Sequence, residues 1–149
     1  MSNLIVQKYG GSSLSNLEEI KFVAKKIKDS LKNSNKIVIV VSAMGNTTDE
    51  LVKLGESFLK NNNGIDNLRD FDQLLSTGEI ISASLMSMSL REISVNAIGL
   101  TGQKAGIFTD DLHGSARISS IDKKIILKEL VKRDVVIVAG FQGVSEYGE

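Results

Sequence analysis

Ile37-Val38-Ile39-Val40-Val41 and Val135-Val136-Ile137-Val138-Ala139 are apolar at every position. A strand with one wet face alternates polar and apolar residues. A strand with no polar position has to be covered on both faces, as in a parallel sheet with helices above and below. Leu4-Ile5-Val6, bounded by Gly10-Gly11, reads as another buried strand, and Val95–Leu100 as a further one. Ile107-Phe108-Thr109 is a candidate short strand. Helical spacing fills the intervals. Ile20, Val23, Ala24, Ile27 and Leu31 follow a capping-box pattern at Ser15 and Glu18, and the polar residues 32–36 end that helix. Thr47 and Glu50 form a second such pattern ahead of Leu51, Leu54 and Phe58, with a polar stop at Asn61-Asn62-Asn63-Gly64. Leu68–Leu75 and Glu79–Ile93 read as two helical segments broken at Ser76-Thr77-Gly78, and Ile121–Lys132 as a last helix. Strands alternating with helices imply an open α/β fold with a mainly parallel sheet and helices on both faces. The 149 residues suffice for one such core.

Composition narrows the function classes. Eighteen basic and eighteen acidic side chains leave no net charge, so no bulk field favours nucleic acid or a membrane surface, and any anion site has to be built locally. Without cysteine there is no disulfide or thiolate metal centre, and the single histidine, His113, rules out a cluster of histidine ligands. No apolar run spans a membrane and no secretion signal precedes the first strand, so the expected location is the cytoplasm. The sequence stops at Gly148-Glu149 just after a strand and a turn, with no helix to cover that strand, which reads as a fragment.

In open α/β sheets, ligands bind beyond the carboxyl ends of the strands. Three loops at such ends are rich in glycine and hydroxyls. In Lys8-Tyr9-Gly10-Gly11-Ser12-Ser13 the glycines let the backbone approach a phosphate, a helix start lies close behind, and Lys8 adds a full positive charge. Such a loop could steady a phosphoryl group in transit; it could equally be a solvated lysine before a glycine turn. It is neither a Walker A loop nor a dinucleotide-binding Gly-x-Gly-x-x-Gly. Ser42-Ala43-Met44-Gly45-Asn46-Thr47-Thr48-Asp49 offers hydroxyls for a carboxylate or phosphate, or only helix capping. Gly140-Phe141-Gln142-Gly143 suggests close backbone approach with Phe141 as a wall, or a tight turn. Glu79, placed at a helix start by the break before it, could hold an ammonium group or merely complement the helix dipole. Asp110, Asp111 and His113 could suggest a metal, although such residues on a loop are more often surface polar groups, and no metal ligands are assigned.

These segments resemble the aspartate kinases. Val6–Ser13 is similar to that family's opening motif and Val40–Leu51 to its second. Ser76-Thr77-Gly78-Glu79, Leu100-Thr101-Gly102, His113–Ile118 and Val138–Val144 match in the family's order. The resemblance implies the amino-acid kinase fold and transfer of the ATP γ-phosphoryl group, with Mg2+, to the side-chain carboxylate of L-aspartate, giving 4-phospho-L-aspartate for lysine, threonine and methionine biosynthesis. It makes Lys8 and Glu79 the catalytic pair, with Lys8, Tyr9, Gly10, Gly11 and Ser42 toward ATP. Ser42, Asn46, Thr47, Thr48, Glu79 and Phe141 then lie toward aspartate, with Glu79 on the ammonium group. Lys104 stands where the family usually has glutamine. The family's Gly-Arg-Gly-Gly-Ser-Asp segment, its adenine-binding loops and its ACT domains are not in this sequence. Residues 1–149 are therefore expected to be the N-terminal, amino-acid-binding part of the catalytic domain, inactive alone, from a homo-oligomeric protein. Acetylglutamate or uridylate kinases of the same fold, and a non-catalytic small-acid-binding lobe, are the alternatives.

Overall fold

A computed structural model describes residues 3–31, 36–59 and 64–149. The polar stretches 32–35 and 61–63 lie outside the described residues. Among the described residues, six strands and four α-helices follow in the order β1 (Leu4–Tyr9), α1 (Leu17–Leu31), β2 (Lys36–Val41), α2 (Thr47–Leu59), α3 (Ile65–Glu92), β3 (Ala97–Leu100), β4 (Ile107–Thr109), β5 (Ile118–Ile121), α4 (Lys123–Lys132) and β6 (Val135–Ala139). Four strands form a parallel sheet in the order β1-β2-β6-β3. β4 and β5 make a separate antiparallel pair.

Side-chain alternation sorts the core into two layers. Ile37, Ile39, Val41, Val135, Ile137 and Ala139 meet α1 and α3 on one face, through Ile20, Val23, Ala24, Ile27, Ala83, Met86 and Leu90. Val38, Val136, Val138 and Leu100 meet Leu130 of α4 and Ala105 on the other. The two wholly apolar strands are thus β2 and β6, at the centre, as their composition requires. β1 corrects the expectation of a buried strand. It is an edge strand: Ile5 and Tyr9 pack against the first layer, while Leu4 and Val6 on the opposite face stay exposed.

Several local expectations shift. The cap of α1 is Asn16, whose Oδ1 accepts the Glu19 N–H at 3.0 Å, and not Ser15. α2 begins at Thr47 itself, with the Glu50 N–H on the Asn46 carbonyl, so Thr47 lies inside the helix and is not its cap. Leu54 and Phe58 of α2 are exposed. β3 starts at Ala97, two residues later than its apolar run. Ile121 belongs to β5, and Asp122 caps α4 by accepting the Lys124 N–H at 3.1 Å.

The largest correction is α3, which is one continuous helix of 28 residues through Ser76-Thr77-Gly78. The hydroxyls there are satisfied inside the helix: Ser76 Oγ donates to the Gln73 carbonyl at 2.8 Å and Thr77 Oγ1 to the Leu74 carbonyl at 2.7 Å. Gly78 is buried, and a Cβ on it would lie 2.9 Å from the Ala43 Cβ. Its missing side chain lets α3 sit directly on the loop after β2. Alanine is a better helix former than glycine by about 1 kcal/mol, but at this contact Gly78→Ala is expected to destabilise the fold by ~1–3 kcal/mol through overpacking. A urea midpoint that rises in the variant would overturn this account of the helix.

Candidate active site

The sheet order gathers segments far apart in sequence. β1 leads through α1 to β2, while β3 leads back through α4 on the other face to β6. The direction of winding therefore reverses between β2 and β6, where open α/β sheets hold ligands. The loops leaving β1, β2, β6 and β3 stand side by side at that edge. Backbone bonds tie them: the Ser42 N–H donates to the Tyr9 carbonyl at 3.0 Å, Gly45 to Gly11 at 3.1 Å and Gly140 to Val41 at 2.9 Å.

Glu79 lies in the interior of α3, not at a helix start, so the helix-dipole reading of it falls. Its side chain is only 4% exposed. Oε1 accepts the Ala43 N–H at 3.1 Å, and Oε2 is buried without a partner. Burial pushes its pKa above the usual carboxylate range, and the backbone N–H bonds offset this in part. A buried carboxylate with one free oxygen is a receptor for a cation or a hydrogen-bond donor.

Lys8 is exposed at the carboxyl end of β1, on the face opposite the Ile5 and Tyr9 side chains, and forms no ion pair with a described residue. The two glycines behind it differ. Gly11 is pressed against the second loop, where a Cβ would meet the Ala43 carbonyl oxygen at 2.9 Å. Gly10 is extended, and a Cβ there would meet nothing within 4 Å. The space beside Gly10 is therefore open to an outside group. The expected helix start behind them is a 3-10 turn, Gly11–Leu14. The α1 terminus beyond carries Glu18 and Glu19, which do not favour an anion.

The remaining candidates divide. Ser42, Thr47 and Thr48 are half-buried on the second loop and the first turn of α2, and Asn46 is exposed beside them. Tyr9 is set apart: its ring packs into the α1–α3 layer and its hydroxyl donates to Gln7 Oε1 at 3.0 Å. Burial raises its pKa. Gly140 and Gly143 are close-packed against the Val41 carbonyl and Thr109, so they serve contacts within the protein. Phe141 between them has φ +63° and a ring 72% exposed. Holding a non-glycine residue there costs on the order of 1–3 kcal/mol. The Lys104 side chain is exposed and its N–H bonds Thr101 Oγ1 at 3.2 Å. Asp110 and His113 serve the β4–β5 hairpin: Asp110 accepts the Arg117 N–H at 3.0 Å, and His113 Nδ1 lies 3.2 Å from Asp72 Oδ2 on α3.

The sequence reading missed three participants, namely the Ala43 amide, Asp72 and Gln142. Ala43 carried no signal, since its donor is backbone. Asp72 and Gln142 act on residues remote in sequence, so spacing could not reveal them.

An open parallel sheet with a buried carboxylate and an exposed lysine around one edge defines a small-molecule site of the α/β class. Residues 3–149 match the amino acid kinase family, and the chain belongs to that family. It is similar to an aspartokinase of Geobacillus stearothermophilus, 47% identical over 146 residues that make up 98% of this chain and 35% of that protein. The chain thus spans about a third of the length of such curated relatives. The crystal structure of aspartate kinase from Synechocystis matches with a TM-score of 0.76 at 43% identity, covering 96% of this chain and 22% of that one. E. coli aspartokinase III in complex with aspartate and ADP shares the fold, with a TM-score of 0.79 at 22% identity, over 99% of this chain and 42% of its own. Among the described residues no helix is long and apolar enough to cross a membrane.

The unpartnered Glu79 oxygen gives the site a pH signature. A folded pKa above the unfolded value means that stability is greatest below the unfolded pKa and is lost as pH rises through the folded one. Glu79→Gln removes the buried charge. It is expected to melt ~2–4 °C above the unchanged chain at pH 8, equivalent to about 1 kcal/mol in a domain of this size. The gap should close near pH 3, where the carboxyl is protonated in both the folded and the unfolded state. Scanning calorimetry at the two pH values checks this, and a variant less stable at pH 8 contradicts it.

Proposed function

We propose that the chain forms the acceptor-binding part of an aspartate kinase, which transfers the ATP γ-phosphoryl group to the side-chain carboxylate of L-aspartate. The observation that carries this reading is Glu79: a buried carboxylate, held by the Ala43 N–H with Oε2 unpartnered, asks for the ammonium group of an amino acid. Ser42, Asn46, Thr47 and Thr48 on the adjoining loop supply hydroxyl and amide groups for the substrate's carboxylates, and Phe141 closes the far side. Lys8 and the open backbone at Gly10 face the phosphoryl group, with Gly11 and Ser42 beside them. Tyr9 contributes through its backbone, because its ring is committed to the core.

The attacking carboxylate oxygen forms a bond to the γ-phosphorus as the bond to the bridging oxygen breaks, and ADP leaves with that electron pair. Charge on the transferring group is spread over its peripheral oxygens, so a fixed cation and N–H donors lower the barrier by position. Mg2+ would enter as the counter-ion of the ATP phosphates. Among the described residues no group of three His, Cys, Asp or Glu side chains could hold a metal ion. The curated relatives are about three times as long as the chain, and the whole protein is read as a homo-oligomeric, cytoplasmic enzyme in which the adenine site lies outside these residues.

Titration calorimetry of the chain against L-aspartate, N-acetyl-L-glutamate and UMP separates the readings. L-Aspartate alone should bind, and Glu79→Gln should weaken it at least tenfold, as expected when a charged hydrogen-bond partner is lost (about 1.5–3 kcal/mol). N-acetyl-L-glutamate lacks the ammonium group, so its preferential binding would favour an acetylglutamate kinase and remove the role of Glu79. In the whole enzyme, Lys8→Ala should lower kcat by about 10²–10³-fold with little change in the KM for aspartate. An unchanged kcat would take Lys8 out of the chemistry.

A further inference from the structure

Gln142 joins three segments of the site with one side chain. Its Nε2 donates to the Ser76 carbonyl on α3 at 3.0 Å, and its Oε1 accepts the Gly102 N–H from the loop after β3 at 3.3 Å. The two partners fix the amide's orientation, since a flipped amide would set oxygen against oxygen and N–H against N–H. Gly102 is packed onto this residue so closely that a Cβ would lie 2.3 Å from the Gln142 carbonyl oxygen. Gln142 directly follows Phe141, whose backbone is held in the left-handed region with its ring exposed. Ser76 lies one helical turn before Glu79 on α3.

We infer that Gln142 is a positioning residue that sets the separation between the Phe141 wall and the Glu79 carboxylate, and so the length of amino acid that the site accepts. This rests on the proposed reading of Glu79 as the ammonium receptor and of Phe141 as the far wall. Gln142 touches neither group through its amide; it ties the backbone that presents one to the helix that presents the other. A wall strained at φ +63° relaxes once the strap is cut, and the site then admits a substrate longer by one methylene.

The test is calorimetric binding of L-aspartate and L-glutamate to the chain and to Gln142→Met, which keeps the length of the side chain without its amide. The unchanged chain should prefer L-aspartate. In Q142M the preference should fall by about tenfold, within the range that one methylene is worth in a fitted pocket. Gln142→Asn, which keeps the amide but cannot reach both partners, should behave alike and carries the test if Q142M does not fold. In a Phe141→Ala background Q142M should have no further effect on the preference, because the two act as a unit. A preference unchanged in both Gln142 variants, or effects that add in the Phe141→Ala background, would overturn the inference while leaving the aspartate reading intact. No binding of L-aspartate by the unchanged chain would overturn both.

Discussion

The hydrogen bond from the Ala43 amide to Glu79 joins the longest helix to the centre of the sheet. It is made between a carboxylate removed from water and a backbone donor at the end of a core strand. It depends on Gly78, because a methyl group there would hold α3 off the loop. It also fixes which way Glu79 points, and so where its unpaired oxygen lies. Burial alone would drive such a carboxyl to protonate. One backbone donor offsets this in part and leaves Oε2 without a partner. The charged form of this carboxyl is costly without a partner for its second oxygen.

Around that bond, the order β1-β2-β6-β3 is the organising constraint. It brings Lys8, the Ser42–Thr48 loop and the Phe141 loop to one edge although they are scattered along the chain. The lysine and the glutamate lie toward opposite faces of the sheet.

β2 and β6 could be read from sequence because full burial leaves no polar position, and α1 because its apolar spacing is regular. Ser76-Thr77-Gly78 could not. These residues punctuate chains when their hydroxyls compete for backbone groups, but here the hydroxyls bond within the helix and the glycine serves a contact with Ala43. β5, with Ser119-Ser120 between two isoleucines, has too little apolar character to announce a strand. The site was legible as a set of loops at strand ends, and the family resemblance singled out Glu79. Its burial, the geometry at Ala43 and the bonds made by Gln142 depend on tertiary contacts that no local pattern encodes. Gly140 and Gly143 looked like room for a ligand and are close-packed against protein instead.

β6 follows the other five described strands in sequence, yet it fills the slot between two of them. Its ladder bonds to β2 and β3 exist only when both neighbours are in place, so the loop bearing Phe141 takes its position with the closing of the sheet and not before. Pairings this remote in sequence are slow to form. They also couple the site to the whole: a molecule lying across the loops after β2 and β6 bridges two strands paired from far apart in sequence. By mass action, its binding is felt as resistance of the entire domain to unfolding.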